Sequence, residues 1–127
     1  MLTISRGYSG FSVRDVEEAR AFYGTALGLV ATINAMGILD LELPGGAHVI
    51  AYPKPDHEPA AFTVLNLEVA DIDAAVDELE AAGVAIERYD GMPQDDRGVM
   101  RGKAAGRGPD IAWFRDPSGN ILSVLSV

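Results

Sequence analysis

The chain has 127 residues, 48% hydrophobic and 23% charged, enough for one folded domain with a real core. It has no cysteine, which excludes disulfides and thiolate metal sites and fits a reducing, cytoplasmic setting. Its net charge of -9 argues against nucleic acid or an anionic membrane as partner, and no apolar run approaches the ~20 residues of a membrane span. The first residues lack the charged-then-apolar pattern of a secretory signal.

Residues 5–13 alternate as a strand, with Phe11 and Val13 on one side and Tyr8, Gly10 and Ser12 on the other. Asp15 is a predicted N-cap, with Glu18 placed to complete a capping box. A helix is expected over 16–27, burying Val16, Ala19, Phe22, Tyr23 and Ala26 and stopped by Gly28. Three strands follow, over 29–33, 38–43 and 48–52, the last two joined by the turn Pro44-Gly45-Gly46. Three prolines in residues 53–59 exclude that stretch from a sheet and mark a linker.

The order then repeats. A strand over 62–69 leads to Asp71, which caps a helix with Ile72, Ala75, Val76, Leu79 and Ala82 on its buried side and Gly83 at its end. A strand is expected over 84–89, a polar glycine-rich loop over 91–109, and strands over 111–115 and 120–127. Val13-Arg14-Asp15-Val16 matches Val69-Ala70-Asp71-Ile72, which marks an internal repeat. The predicted fold class is α+β: one domain of two βαβββ modules, about 1–53 and 62–127, joined by a linker at 54–61.

Three runs carry a resemblance: Phe11-Ser12-Val13-Arg14-Asp15, then Ala21-Phe22-Tyr23 with Leu27-Gly28-Leu29, and finally Trp113-Phe114-Arg115-Asp116-Pro117-Ser118-Gly119-Asn120. Together they resemble the vicinal oxygen chelate superfamily, which includes glyoxalase I, extradiol dioxygenases and the fosfomycin and bleomycin resistance proteins. The chain looks most like a metal-free bacterial branch, marked by Tyr52-Pro53-Lys54-Pro55-Asp56-His57. The resemblance implies that the two modules form a curved mixed sheet around a cleft that binds a small molecule, and it implies a homodimer.

Enzymes of the superfamily hold a divalent metal on four side chains of this cleft. Carried over by position, these are Tyr8, Ile50 or Ala51, Val64 and Ser123. None is an imidazole or a carboxylate, the donors that such ions require, so no metal and no other cofactor is expected. The adjacent Asp56-His57-Glu58 also offers donors, but neighbours on an extended chain point to opposite sides.

Strand parity assigns the cleft lining. Phe11, Val13, Leu65, Leu67, Val69, Ala112 and Phe114 face the helices, which leaves Tyr8, Ser12, Asn66, Glu68, Ile111, Trp113 and Ser123 for the ligand. Leu39 and Leu41 are expected to join them. Trp113 reads as cleft or core, and Glu68 as a buried base working with Tyr8 or as a solvated carboxylate. Arg97, Arg101, Lys103 and Arg107 make a basic loop that either closes over an anion or moves free in solvent. Asp71, Asp73, Asp77, Glu78 and Glu80 read as a solvated acidic helix surface. The leading expectation is a metal-independent small-molecule binder; the alternative is a lyase, isomerase or dioxygenase-type enzyme of the same fold.

Overall fold

Two aspartates start the two helices, and each begins one repeat. In the computed structural model, which describes all 127 residues, Asp15 accepts a hydrogen bond from the Glu18 amide at 2.8 Å. Asp71 accepts from the amides of Asp73 and Ala74 at 3.0 and 3.1 Å. Such caps satisfy donors that the first helical turn leaves open. Glu18 does not spend its carboxylate on a capping box; it pairs with Arg14 at 3.0 and 3.1 Å.

The chain divides into units Met1–Pro59 and Ala60–Val127. The first holds β1 (Ser9–Val13), α1 (Val16–Ala21), a π-helical turn (Phe22–Ala26), β2 (Val30–Ile33), β3 (Leu39–Glu42) and β4 (His48–Pro53). Its sheet order is β1-β4-β3-β2, with β1 parallel to β4 and the other pairs antiparallel. The second holds β5 (Thr63–Glu68), α2 (Ile72–Ala81), β6 (Met100–Arg101), β7 (Asp110–Arg115) and β8 (Ile121–Ser126). Its order, β5-β8-β7-β6, repeats the first in both sequence and direction. The expected pair of βαβββ modules is therefore present as two four-stranded mixed sheets.

Three elements differ from the sequence reading. Residues 5–8 lie outside β1. The expected helix over 16–27 is α-helical only to Ala21, then widens into the π-turn. That turn contains Gly24 and Thr25, poor helix formers, and seats Tyr23 fully buried against Phe22 and Phe11 at centroid distances of 5.1 and 5.9 Å. The third change is the stretch 84–89, which makes no strand ladder. Only the Glu87 amide reaches β7, donating to the Trp113 carbonyl at 2.8 Å. The Gln94 side chain takes the groups a neighbouring strand would have used. Its Oε1 accepts from the Tyr89 amide at 2.8 Å, and its Nε2 donates to the carbonyls of Glu87 and Gly98 at 2.8 and 2.7 Å. The second strand of this module is instead the short β6, inside the expected loop.

Register defines the two cores. Phe11 pairs with Ala51, and Ala51 with Leu39; Val49 pairs with Leu41. All five are buried, on the side where Phe11 meets Tyr23. Leu39 and Leu41 thus belong to the core and do not join the ligand-facing surface. Alternation separates the two sides of a strand but does not name which one is covered. In the second unit Leu65, Leu122, Ala112, Phe114 and Val124 pack with Ile72, Ala75, Val76 and Leu79 of α2. Burying a side chain of this size contributes about 1.5–3 kcal/mol.

The turn between β7 and β8 is fixed by a buried carboxylate. Asp116 Oδ1 accepts from the amides of Ser118 and Asn120, both at 2.9 Å, and its Oδ2 from Asn120 Nδ2 at 3.0 Å. Gly119 supplies the positive φ of 83°. The run Asp116-Pro117-Ser118-Gly119-Asn120 thereby sets where β8 begins and so which of its residues face outward.

Candidate functional site

Each sheet has one side packed on its helix and one side that the helix leaves free. On the first sheet the free side carries Gly10, Ser12, Thr32, Asp40, Glu42, His48, Ile50 and Tyr52 by register. Gly10 is required there, because a Cβ would meet Ile50 Cγ1 at 2.9 Å. His48 Nδ1 lies 3.0 Å from Asp40 Oδ2, and Ser12 Oγ lies 2.7 Å from His57 Nδ1. Neither histidine pair was foreseen from sequence. The alternation of Asp40 and Glu42 against Leu39 and Leu41 held the signal for the first, once the leucines are assigned to the core. His57 turns toward Ser12 while Asp56 binds Lys54 at 2.7 Å, so Asp56-His57-Glu58 forms no converging donor set.

The second sheet has an aromatic centre. Trp113 pairs with Ser123, and Ser123 with Asn66; Ile111 pairs with Leu125, and Leu125 with Glu68. Trp113 is 9% exposed and Ser123 fully buried, while Asn66 and Glu68 are exposed. Ser123 Oγ donates to Asn66 Oδ1 at 2.6 Å, which leaves the Asn66 amide nitrogen to face outward. Tyr89 lies edge-on to Trp113 with centroids 5.8 Å apart, and its hydroxyl is shielded from water without a hydrogen-bond partner. Burial raises the Tyr89 phenol above its usual range, with the Glu87 charge adding to the effect. Sequence reading missed Tyr89 because it assigned 84–89 to a strand and stopped at its pattern. At the edge of this side Arg115 Nε bonds Glu87 Oε1 at 2.5 Å.

Several expected site residues stand apart from this cluster. Tyr8 precedes β1 and is 61% exposed, its ring 5.5 Å from the Arg6 guanidinium. Glu68 is exposed, so the buried base considered from sequence is corrected to a carboxylate in water. For Arg97 and Arg101 both readings of the basic loop are also corrected, while Lys103 and Arg107 stay exposed. Arg101 binds Asp73 at 2.7 Å and Asp95 at 3.0 Å, and Arg97 binds Asp77 at 2.5 Å with Glu80 at 3.6 Å. The acidic side of α2 is therefore the partner of these arginines. The Arg101 guanidinium holds the Asp73 carboxyl below the usual carboxylate range. Burial pushes Asp95 up, but the Val99 amide, Arg101 and the Arg97 amide outweigh it and the carboxyl sits low.

The positions equivalent to the superfamily's metal ligands do not fit a metal. Register settles the open choice between Ile50 and Ala51: Ile50 is on the free side and Ala51 in the core. The set is then Tyr8, Ile50, Val64 and Ser123, of which two have no donor atom and Ser123 already bonds Asn66.

Two βαβββ units, each with one side of its sheet left free by its helix, define the class. The model of the Glyoxalase/Bleomycin resistance protein/Dioxygenase superfamily matches residues 7–124, and the chain belongs to that family. No curated protein matches it. Among solved structures, it is similar to the hypothetical protein SA1046 from S. aureus, with 21% identity over 98% of this chain and 95% of that one and a TM-score of 0.69. It is similar to TnmS3, an antibiotic binding protein from Streptomyces sp. CB03234, with 23% identity over 99% and 98% of the two chains and a TM-score of 0.65. The fosfomycin resistance protein FosX from Listeria monocytogenes gives 12% identity over 99% and 95%, with a TM-score of 0.69. At these identities the likeness concerns the fold.

Proposed function

We propose that this protein is a small-molecule-binding member of the superfamily that works without a bound metal. The observation that carries the reading is the free side of the second sheet. It sets Trp113, Ile111 and Leu125 beside the Asn66–Ser123 pair, an apolar aromatic surface with few polar groups, as ligand sites usually have. The donor set at the family's ligand positions supports metal independence. The similarity to an antibiotic binding protein and to a resistance protein supports a binding role. Ser12, on the free side of the first sheet, is the remaining polar candidate, and the functional unit is a homodimer.

The test uses protein purified without a tag. Elemental analysis is expected to find substoichiometric zinc, iron, nickel and manganese. A thermal-shift screen of aromatic small molecules is expected to find ligands that also change Trp113 emission, since Trp113 is the only tryptophan. Stoichiometric metal would overturn metal independence, and a stabilising ligand that leaves Trp113 emission untouched would overturn the site. Light scattering that gives a monomer would refute the dimer. An enzyme based on Glu68 and Tyr8 has weaker support, because both are exposed; unchanged turnover in Glu68→Gln would dispose of it.

A further inference from the structure

A buried hydroxyl without a partner is an unstable arrangement. Leaving such a group unpaired is destabilising, and native proteins keep few of them. The Tyr89 hydroxyl is the one side-chain polar atom of this kind here. Its surroundings are otherwise well satisfied. Gln94 fixes the Tyr89 amide and the carbonyls of Glu87 and Gly98, and the Glu87 amide is tied to the Trp113 carbonyl. The backbone at Tyr89 is therefore anchored on both sides. What is left free to move is the side chain, about its own two torsions.

That ring covers Trp113. It contacts the indole edge-on, an arrangement that adds to what burial of the ring contributes. The unpaired hydroxyl offsets part of what this contact and the burial of the ring contribute. A ligand that stacks on Trp113 and offers the hydroxyl an acceptor removes that cost, and so can displace the ring. A phenol is protonated at neutral pH, so the Tyr89 hydroxyl is a donor there.

We propose that Tyr89 is a movable cap and hydrogen-bond anchor for the ligand: its ring swings off Trp113 to admit a flat apolar body, and its hydroxyl donates to an acceptor on that body. The ligand class is accordingly an aromatic or polycyclic molecule with a carbonyl or similar acceptor. The inference rests on the small-molecule reading and assigns its polar contact.

The experiment uses the full chain, Tyr89→Phe and Tyr89→Ala, with 9-fluorenone and fluorene as a matched pair of probes with and without the carbonyl. Without ligand, Tyr89→Phe is expected to melt at or above the wild-type temperature, and Tyr89→Ala to increase acrylamide quenching of Trp113. With probes, wild type is expected to prefer fluorenone, and Tyr89→Phe to lose about three- to tenfold of that preference. A Tyr89→Phe melting temperature several degrees below wild type would reveal a protein partner for the hydroxyl and overturn the proposal. So would unchanged quenching in Tyr89→Ala, or an equal preference for fluorenone in wild type and Tyr89→Phe. If wild type binds neither probe nor any member of the aromatic screen, the small-molecule reading fails and takes the anchor with it.

Discussion

Replacing Gln94 with alanine tests the construction that holds Tyr89 in place. The Gln94 amide makes bonds at 2.8, 2.8 and 2.7 Å to the Tyr89 amide and to the carbonyls of Glu87 and Gly98. A typical internal bond contributes about 1 kcal/mol net. Because this region is only partly buried, water replaces part of what is lost. The expected cost of Gln94→Ala is therefore about 1.5–3 kcal/mol. For a chain of this size that lowers Tm by roughly 5–12 °C. Urea unfolding followed by Trp113 fluorescence reads the change beside the altered segment. The stability term should fall with an unchanged m-value, since the same surface is exposed on unfolding. Gln94→Glu keeps the acceptor for the Tyr89 amide but loses the Nε2 donor, and puts a carboxylate beside the carbonyls of Glu87 and Gly98. It should cost at least as much as alanine. A loss under about 0.5 kcal/mol for alanine, or full stability in Gln94→Glu, would refute the idea that one side chain replaces a strand partner here.

Further outcomes follow from the core and from the arginine clasp. Leu41→Ala should cost about 2–5 kcal/mol in denaturant unfolding, as a core truncation does, whereas Glu68→Gln should stay within about 0.5 kcal/mol. Arg101→Gln should raise amide hydrogen exchange across residues 95–101 while changing global stability only slightly, because the ion pairs are half exposed. The clasp also sets an acid response. Asp73 and Asp95 both titrate lower when folded than when unfolded. Their stabilisation is complete above the unfolded carboxylate range, about pH 4, and is lost as pH falls through the lower folded values. Protection factors in this loop, which correct exchange for its intrinsic pH dependence, should therefore fall below about pH 4 in wild type and respond less to acid in Asp73→Asn.

The repeat was legible because it rests on local chemistry. Asp15 and Asp71 cap, Gly28 and Gly83 stop, and apolar residues between them recur at helical spacing, so the two modules can be placed from sequence. What was not legible depends on contacts between distant residues. Leu39 and Leu41 alternate clearly, yet only the pairing with Ala51 and Val49 shows which side is covered. Arg97 and Arg101 read as a free basic loop until Asp73 and Asp77, 20 to 28 positions earlier, come alongside. Residues 84–89 have the pattern of a strand, and a single glutamine outside the pattern prevents the ladder.

The strand order carries a consequence for synthesis. In each unit the last strand made, β4 or β8, lies inside its sheet, between the first strand and the third. Neither sheet can join its two sides until that strand exists. The emerging chain can complete the first sheet once Pro53 is outside the ribosome, but β5 and the Trp113 strand lack their common neighbour until Ser126 has emerged as well. During that interval the apolar edges of β5 and β7 are exposed together, and this is when the nascent chain is most open to mispairing.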